Sequence, residues 1–137
     1  MAKQKRVLVF FFENNDFDRS IKFFKKGFKH CGVLYYDTTC KHWIIVEYIY
    51  GQMLIEVLDS KKTDAFFELL KQKKAKVLKG DCAFNHTRFP TMMKSWIKEH
   101  SCVSYVQRIL GLNKWWIFTP HQLYCALKKH NFCEIEL

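Results

Sequence analysis

The chain has 137 residues, 49% of them hydrophobic and 17% aromatic, and its 23 Lys and Arg against 13 Asp and Glu give a formal net charge of +10. That length fits a single domain over residues 1–137 with apolar material for a real core, and argues against a second domain. No segment approaches the ~20 consecutive apolar residues of a membrane-spanning helix. The charge favours anionic surfaces or polymers, but the lysines are spread through residues 22–26, 61–62, 71–74 and 128–129, as solvated helix faces and turns would have them.

The basic start, residues 1–6, is followed by an apolar run too short for a signal peptide and then by residues 13–18 without a cleavage site. The expected location is therefore cytoplasmic, a reducing compartment that keeps Cys31, Cys40, Cys82, Cys102, Cys125 and Cys133 as thiols. Residues 7–12 are continuously apolar and read as a buried strand, broken by Asn14, Asn15 and Asp16. Helical spacing of Phe17, Ile21 and Phe24 predicts a helix over 17–26, capped by Asp16 and stopped by Gly27. A strand resumes at His30. Residues 30–36 and 42–50 read as paired strands around a polar turn at 37–40, and the turn at Gly51 leads into a third strand over 53–58. Asp59 and Ser60 cap a helix through Lys73, with Ala65, Phe66, Leu69 and Leu70 facing inward.

Residues 75–78 suggest one more strand, 80–90 an irregular segment and 91–98 a helix. Ser101 then caps a short amphipathic helix with Val103, Val106, Ile109 and Leu110 on one face and Gly111 as a left-handed stop. Trp115 and Trp116 are expected to close the core, one ring in and one half out. Thr119 and Pro120 open a last helix that runs to Lys129. The expected class is α+β, a small antiparallel sheet packed against helices.

Cys102 stands in the first turn of its helix, where unpaired backbone N–H groups and the positive end of the helix dipole lower a thiol pKa from about 8.5. The same N–H groups suit an oxyanion. A thiolate nucleophile needs a base, and the base a third group that orients it. His30 opens a strand, and Gly32, two residues on and on the same face, leaves room for a close approach. Glu47 is the one charge within the apolar run 43–49, where a carboxylate is unfavourable unless paired. Each residue alone has a plainer reading: His30 as a hydrogen-bonded strand end, Glu47 as a solvent-facing position, Cys102 as packing.

Together, three segments resemble a family, the circularly permuted papain-like cysteine hydrolases of the NlpC-type peptidase superfamily, and among them the YiiX-like members. Phe28-Lys29-His30-Cys31-Gly32-Val33-Leu34-Tyr35 is similar to the strand that holds the family's histidine. His42-Trp43-Ile44-Ile45-Val46-Glu47-Tyr48 resembles the strand that ends in the orienting glutamate. Ser101-Cys102-Val103-Ser104-Tyr105-Val106 resembles the nucleophile helix, and Phe118-Thr119-Pro120-His121-Gln122-Leu123-Tyr124 the helix that follows it. The resemblance covers roughly residues 16–127, mostly as pattern, and the segments come in the permuted order. It implies a permuted papain-like core in which Cys102 is nucleophile, His30 general base and acid, and Glu47 the residue that orients His30. The implied chemistry is hydrolysis or acyl transfer on a peptide, amide or lipid-ester substrate, with no cofactor. Cys31 stands where a small or β-branched residue is usual, and alternation assigns it to packing on the opposite sheet face. In its compactness the chain also resembles small tailed-phage proteins, which would act inside the host cell.

Two rivals compete with this reading. Zinc is disfavoured because no Cys-x-x-Cys or His-x-x-x-His occurs, the nearest grouping being Cys82 with His86, so no metal is expected. The other is a non-catalytic basic binding module for nucleic acid, a membrane surface or a host protein. No helix-turn-helix, glycine-rich loop or clustered arginine stripe marks a specific nucleic-acid reader.

Overall fold

Strand β1 (Gln4–Phe12) carries the continuous apolar run, and it is buried on both faces because it lies inside the sheet with helices on either side. The computed structural model describes residues 4–13, 25–49, 51–83, 101–112, 114 and 116–137. After β1 come β2 (His30–Asp37), β3 (His42–Ile49), β4 (Gln52–Leu58), α1 (Ser60–Gln72), β5 (Lys76–Ala83), α2 (Cys102–Leu110), α3 (Pro120–Lys129) and β6 (Cys133–Ile135). The fold is α+β. Six strands form one antiparallel sheet in the order β4-β3-β2-β1-β5-β6, and the three helices among the described residues pack against it.

Alternation divides the core in two. Leu8, Phe10 and Phe12 join Leu34, Ile45, Leu58 and Val77 on the face covered by α1 through Phe66, Phe67 and Leu70. Val7, Val9 and Phe11 join Cys31, Val33, Leu78 and Cys82 on the face covered by α2 and α3. Each such side chain contributes about 1.5–3 kcal/mol when fully buried. A one-residue slip of β1 would only exchange one apolar face for the other. In β2 the same slip would drive His30 into the hydrocarbon beneath α2 and move Gly32 out of the place that needs a glycine, so β2 fixes the register that matters for function.

Turn chemistry follows the sequence. Asp37 Oδ1 accepts the N–H groups of Thr39 at 2.7 Å and Cys40 at 3.2 Å, and Gly51 takes the left-handed conformation, φ 76°, between β3 and β4. Asp59 caps α1 by accepting Lys62 N–H at 2.8 Å.

Several expectations are corrected. In α1 the inward stripe is Phe66, Phe67 and Leu70, whereas Ala65 and Leu69 are exposed; Trp43 meets Phe67 edge to face at 6.0 Å and turns that side of the helix inward. Strand β5 continues through Gly80 to Ala83, where an irregular segment was expected, because β1 starts early enough to pair Gln4 with Ala83. Strand β6 has no sequence signal, being only three residues long; it pairs with β5, and Phe132 just before it packs on Gly80, where a Cβ would lie 2.5 Å from the ring. Trp116, 45% exposed, is the ring expected to lie half out, and Trp115 lies outside the described residues; of the helix expected over 17–26, residues 17–24 lie outside them and Lys25 and Lys26 are not helical, and the helix expected over 91–98 lies outside them. No helix among the described residues is long and apolar enough to cross a membrane.

Candidate active site

Helix α2 begins as its sequence dictates. The Ser101 hydroxyl accepts the Ser104 N–H at 3.2 Å and the Ser104 hydroxyl accepts the Ser101 N–H at 3.3 Å, a reciprocal cap that fixes the first turn. Cys102 is the first helical residue, and its N–H and that of Val103 have no carbonyl one turn back within the helix. Val103, Val106 and Leu110 anchor the helix in the core, and Gly111 ends it at φ 71°. Tyr105 stacks on Tyr48 of β3 at 4.6 Å between centroids, tying the start of α2 to the strand that carries Glu47.

Gln107 has a structural role that the sequence does not foreshadow. Its Nε2 donates to Ile117 O at 3.1 Å and its Oε1 accepts Lys114 N–H at 3.2 Å, so this buried amide braces α2 against the segment leading to α3. A polar residue amid the apolar face of an amphipathic helix was the available signal.

His30 is the first residue of β2. Glu13 holds the approach to it, accepting Gly27 N–H and pairing with the Lys29 ammonium, and Lys29 N–H donates to Phe12 O at 3.2 Å. The imidazole is 4% exposed and lies against the rings of Phe12 and Phe10, at centroid distances of 5.1 and 6.4 Å. Its Nε2 is 2.9 Å from Glu47 Oε2, and the carboxylate is buried as well. Gly32 makes this contact possible. It lies opposite both Phe10 and Glu47, and a Cβ there would overlap the Phe10 ring and come within 2.9 Å of Glu47 Cγ. The room expected at Gly32 is thus filled by the orienting carboxylate and a phenylalanine.

The pairing of β2 with β3 ends at Gly32 and Glu47, although both strands run on. Beyond that pair the start of α2 meets the sheet. There Cys102 packs against the core cluster that contains Cys31, and Cys31 and the His30 side chain both act on its thiol. The structure therefore brings together all three residues singled out in the sequence, from two strands and a helix. It adds Cys31. That residue does pack on the face opposite Gly32 and Glu47, as expected, but α2 covers that face, so the Cys31 thiol is also a partner of Cys102.

These contacts separate charge. The Cys31 hydrogen bond holds the Cys102 thiol well below its ordinary range; burial opposes this, and His30 and the Cys31 N–H reinforce it. Burial alone would push His30 down, but its hydrogen bonds to Cys102 and Glu47 and the charges on both raise it to about 9. Burial, the hydrogen bond to Cys102 and the neighbouring negative charges push Cys31 far up, so it stays a thiol. Near neutral pH the arrangement favours a Cys102 thiolate beside a His30 imidazolium.

A second Cys–His pair shows what this site has in addition. His121 Nε2 lies 3.7 Å from Cys125 Sγ on α3 but also 3.1 Å from Lys25 Nζ, and burial and that ammonium lower its pKa. Cys125 lies inside the helix rather than at its start, and a cation stands where Glu47 stands for His30. Cys82, considered above with His86, packs its thiol beneath α2 and donates to Leu110 O at 3.3 Å; His86 lies outside the described residues.

Comparison with protein-family models, curated proteins and solved structures finds no match to this chain.

Proposed function

We propose that this chain is a cysteine hydrolase or acyltransferase with a circularly permuted papain-like, NlpC-type core, cleaving an amide, ester or thioester through Cys102, His30 and Glu47. One observation carries the reading: residues 30, 47 and 102, far apart in sequence, converge at the start of a helix, the imidazole hydrogen-bonded to the carboxylate and interacting with the thiol. In the reaction the Cys102 thiolate attacks the substrate carbonyl. The N–H groups of Cys102 and Val103 face the developing oxyanion with no preceding helical carbonyl to satisfy them. His30, its Nε2 held by Glu47, gives its proton to the leaving group from the other ring nitrogen and then takes one from the water, amine or alcohol that resolves the thioester. Glu47 fixes the ring orientation and stabilises the imidazolium, for which its burial in a dry setting is suited. Of the three residues Cys102 alone is not fully buried, which makes it the member of the triad nearest to a substrate. The net charge of +10 favours substrates on anionic polymers or surfaces, and a reducing compartment would keep the nucleophile active.

The pH dependence of iodoacetamide labelling at Cys102, read by peptide mass spectrometry, tests the triad. Labelling is expected to persist well below the ordinary thiol pKa of about 8.5 and to shift upward in His30→Ala. If Cys102 reacts no faster than Cys40 and ignores the histidine, the triad reading fails and the basic binding module takes its place.

A further inference from the structure

Two sulfurs meet at this site and the reaction above uses one. Cys102, at the start of α2, is partly buried. Cys31 is fully buried in the core cluster against which Cys102 packs, and the two thiols act on each other. The other four cysteines are placed elsewhere: Cys82 beneath the end of α2, Cys40 in the β2–β3 turn, Cys125 on α3 and Cys133 on β6. We propose that Cys102 and Cys31 form a peroxide-responsive pair, in which a hydroperoxide oxidises Cys102 and Cys31 resolves the product as a reversible disulfide. The inference rests on the reading of Cys102 as an activated thiolate.

The chemistry balances. The Cys102 thiolate attacks the distal oxygen of ROOH, the O–O bond breaks, and the departing alkoxide leaves as ROH with the proton of the His30 imidazolium. Cys102 becomes a sulfenic acid. The Cys31 sulfur then attacks the Cys102 sulfur, and the Cys31 proton leaves with the sulfenic hydroxyl as water. The two electrons taken up by the peroxide come from the two thiols. The order of steps follows from placement, because Cys102 is only partly buried whereas Cys31 is fully buried. Burial and the adjacent thiolate keep Cys31 protonated in the resting protein; once Cys102 is a neutral sulfenic acid, that negative charge is gone and Cys31 becomes a better nucleophile. The disulfide would stop acyl transfer and spare Cys102 from irreversible sulfinic and sulfonic acids.

The test treats the purified full chain with a several-fold molar excess of hydrogen peroxide and follows Cys102 by iodoacetamide labelling and tandem mass spectrometry that separates Cys31 from Cys40. In the native protein Cys102 labelling is expected to be lost, a Cys31–Cys102 crosslink to appear, and dithiothreitol to restore labelling. Cys31→Ser keeps a hydrogen-bond donor beside Cys102 but cannot resolve, and Cys31→Ala removes both functions and serves if the serine variant does not fold. In either variant, measured against its own labelling before peroxide, Cys102 is expected to gain two or three oxygens and to remain unlabelled after dithiothreitol. Irreversible oxidation in the native protein, a crosslink to a different cysteine, or a Cys102 inert to peroxide overturns the proposal. Failure of the hydrolase reading is separate: it shows before peroxide is added, as labelling of Cys102 that is insensitive to His30→Ala.

Discussion

Replacing Glu47 by Gln removes the negative charge beside His30 with little change of shape. Glu47 Oε2 lies 2.9 Å from His30 Nε2 in a setting where both side chains are buried, and a glutamine oxygen can still accept the ring N–H. The rise of His30 from 6.5 to about 9 corresponds to about 3 kcal/mol in favour of the imidazolium, at about 1.4 kcal/mol per pH unit. Cys102 and Glu47 achieve that together against burial. If Glu47 supplies half, Glu47→Gln loses about 1.5 kcal/mol, or roughly 5 °C in Tm for a chain of this size. The sign follows from linkage. The folded pKa lies above the unfolded one, so the stabilisation is fully present below 6.5 and is lost as the pH rises through about 9. Urea unfolding across this range should show the largest deficit of Glu47→Gln at about pH 6, closing or reversing by about pH 10, where a neutral His30 leaves the native carboxylate buried without a cation. A deficit that does not change with pH, or none at about pH 6, would refute the electrostatic account.

Gly32→Ala is expected to destabilise the protein by about 1–3 kcal/mol, because its methyl overlaps the Phe10 ring and crowds Glu47 Cγ at 2.9 Å. It should also displace the carboxylate and slow Cys102 alkylation at neutral pH; native stability and alkylation in this variant would mean that the close approach is not needed. Gln107→Met keeps the length of the side chain but loses the bonds to Ile117 O and Lys114 N–H, for an expected loss of about 1–3 kcal/mol in thermal unfolding. An unchanged Tm would show that α2 is held by its apolar face alone.

The sequence revealed those parts of the fold that depend on local chemistry. The cap at Ser101, the stop at Gly111 and the start at Thr119 and Pro120 are written in neighbouring residues, and the structure has them where the pattern puts them. Strand β1 was legible because burial on both faces leaves an unbroken apolar run. What escaped depends on distant partners. Extension of β5 to Ala83 and the existence of β6 come from pairing with strands far away in the chain, and the exposure of Leu69 follows from how α1 meets Trp43. At the site, a histidine opening a strand and a lone carboxylate in an apolar strand were visible as chemistry out of place. Cys31 was read by alternation alone, which gave its face correctly but could not tell that the thiol of α2 would come down on that same face.

The central claim is acyl transfer to Cys102, and the most direct measurement is to trap the acyl group there. Protein mixed with p-nitrophenyl acetate and quenched in acid should carry an acetyl group on Cys102, absent in Cys102→Ala and slower to form in His30→Ala. Acetylation scattered over lysines with none gathering on Cys102, or a rate on Cys102 unchanged in His30→Ala, would contradict it.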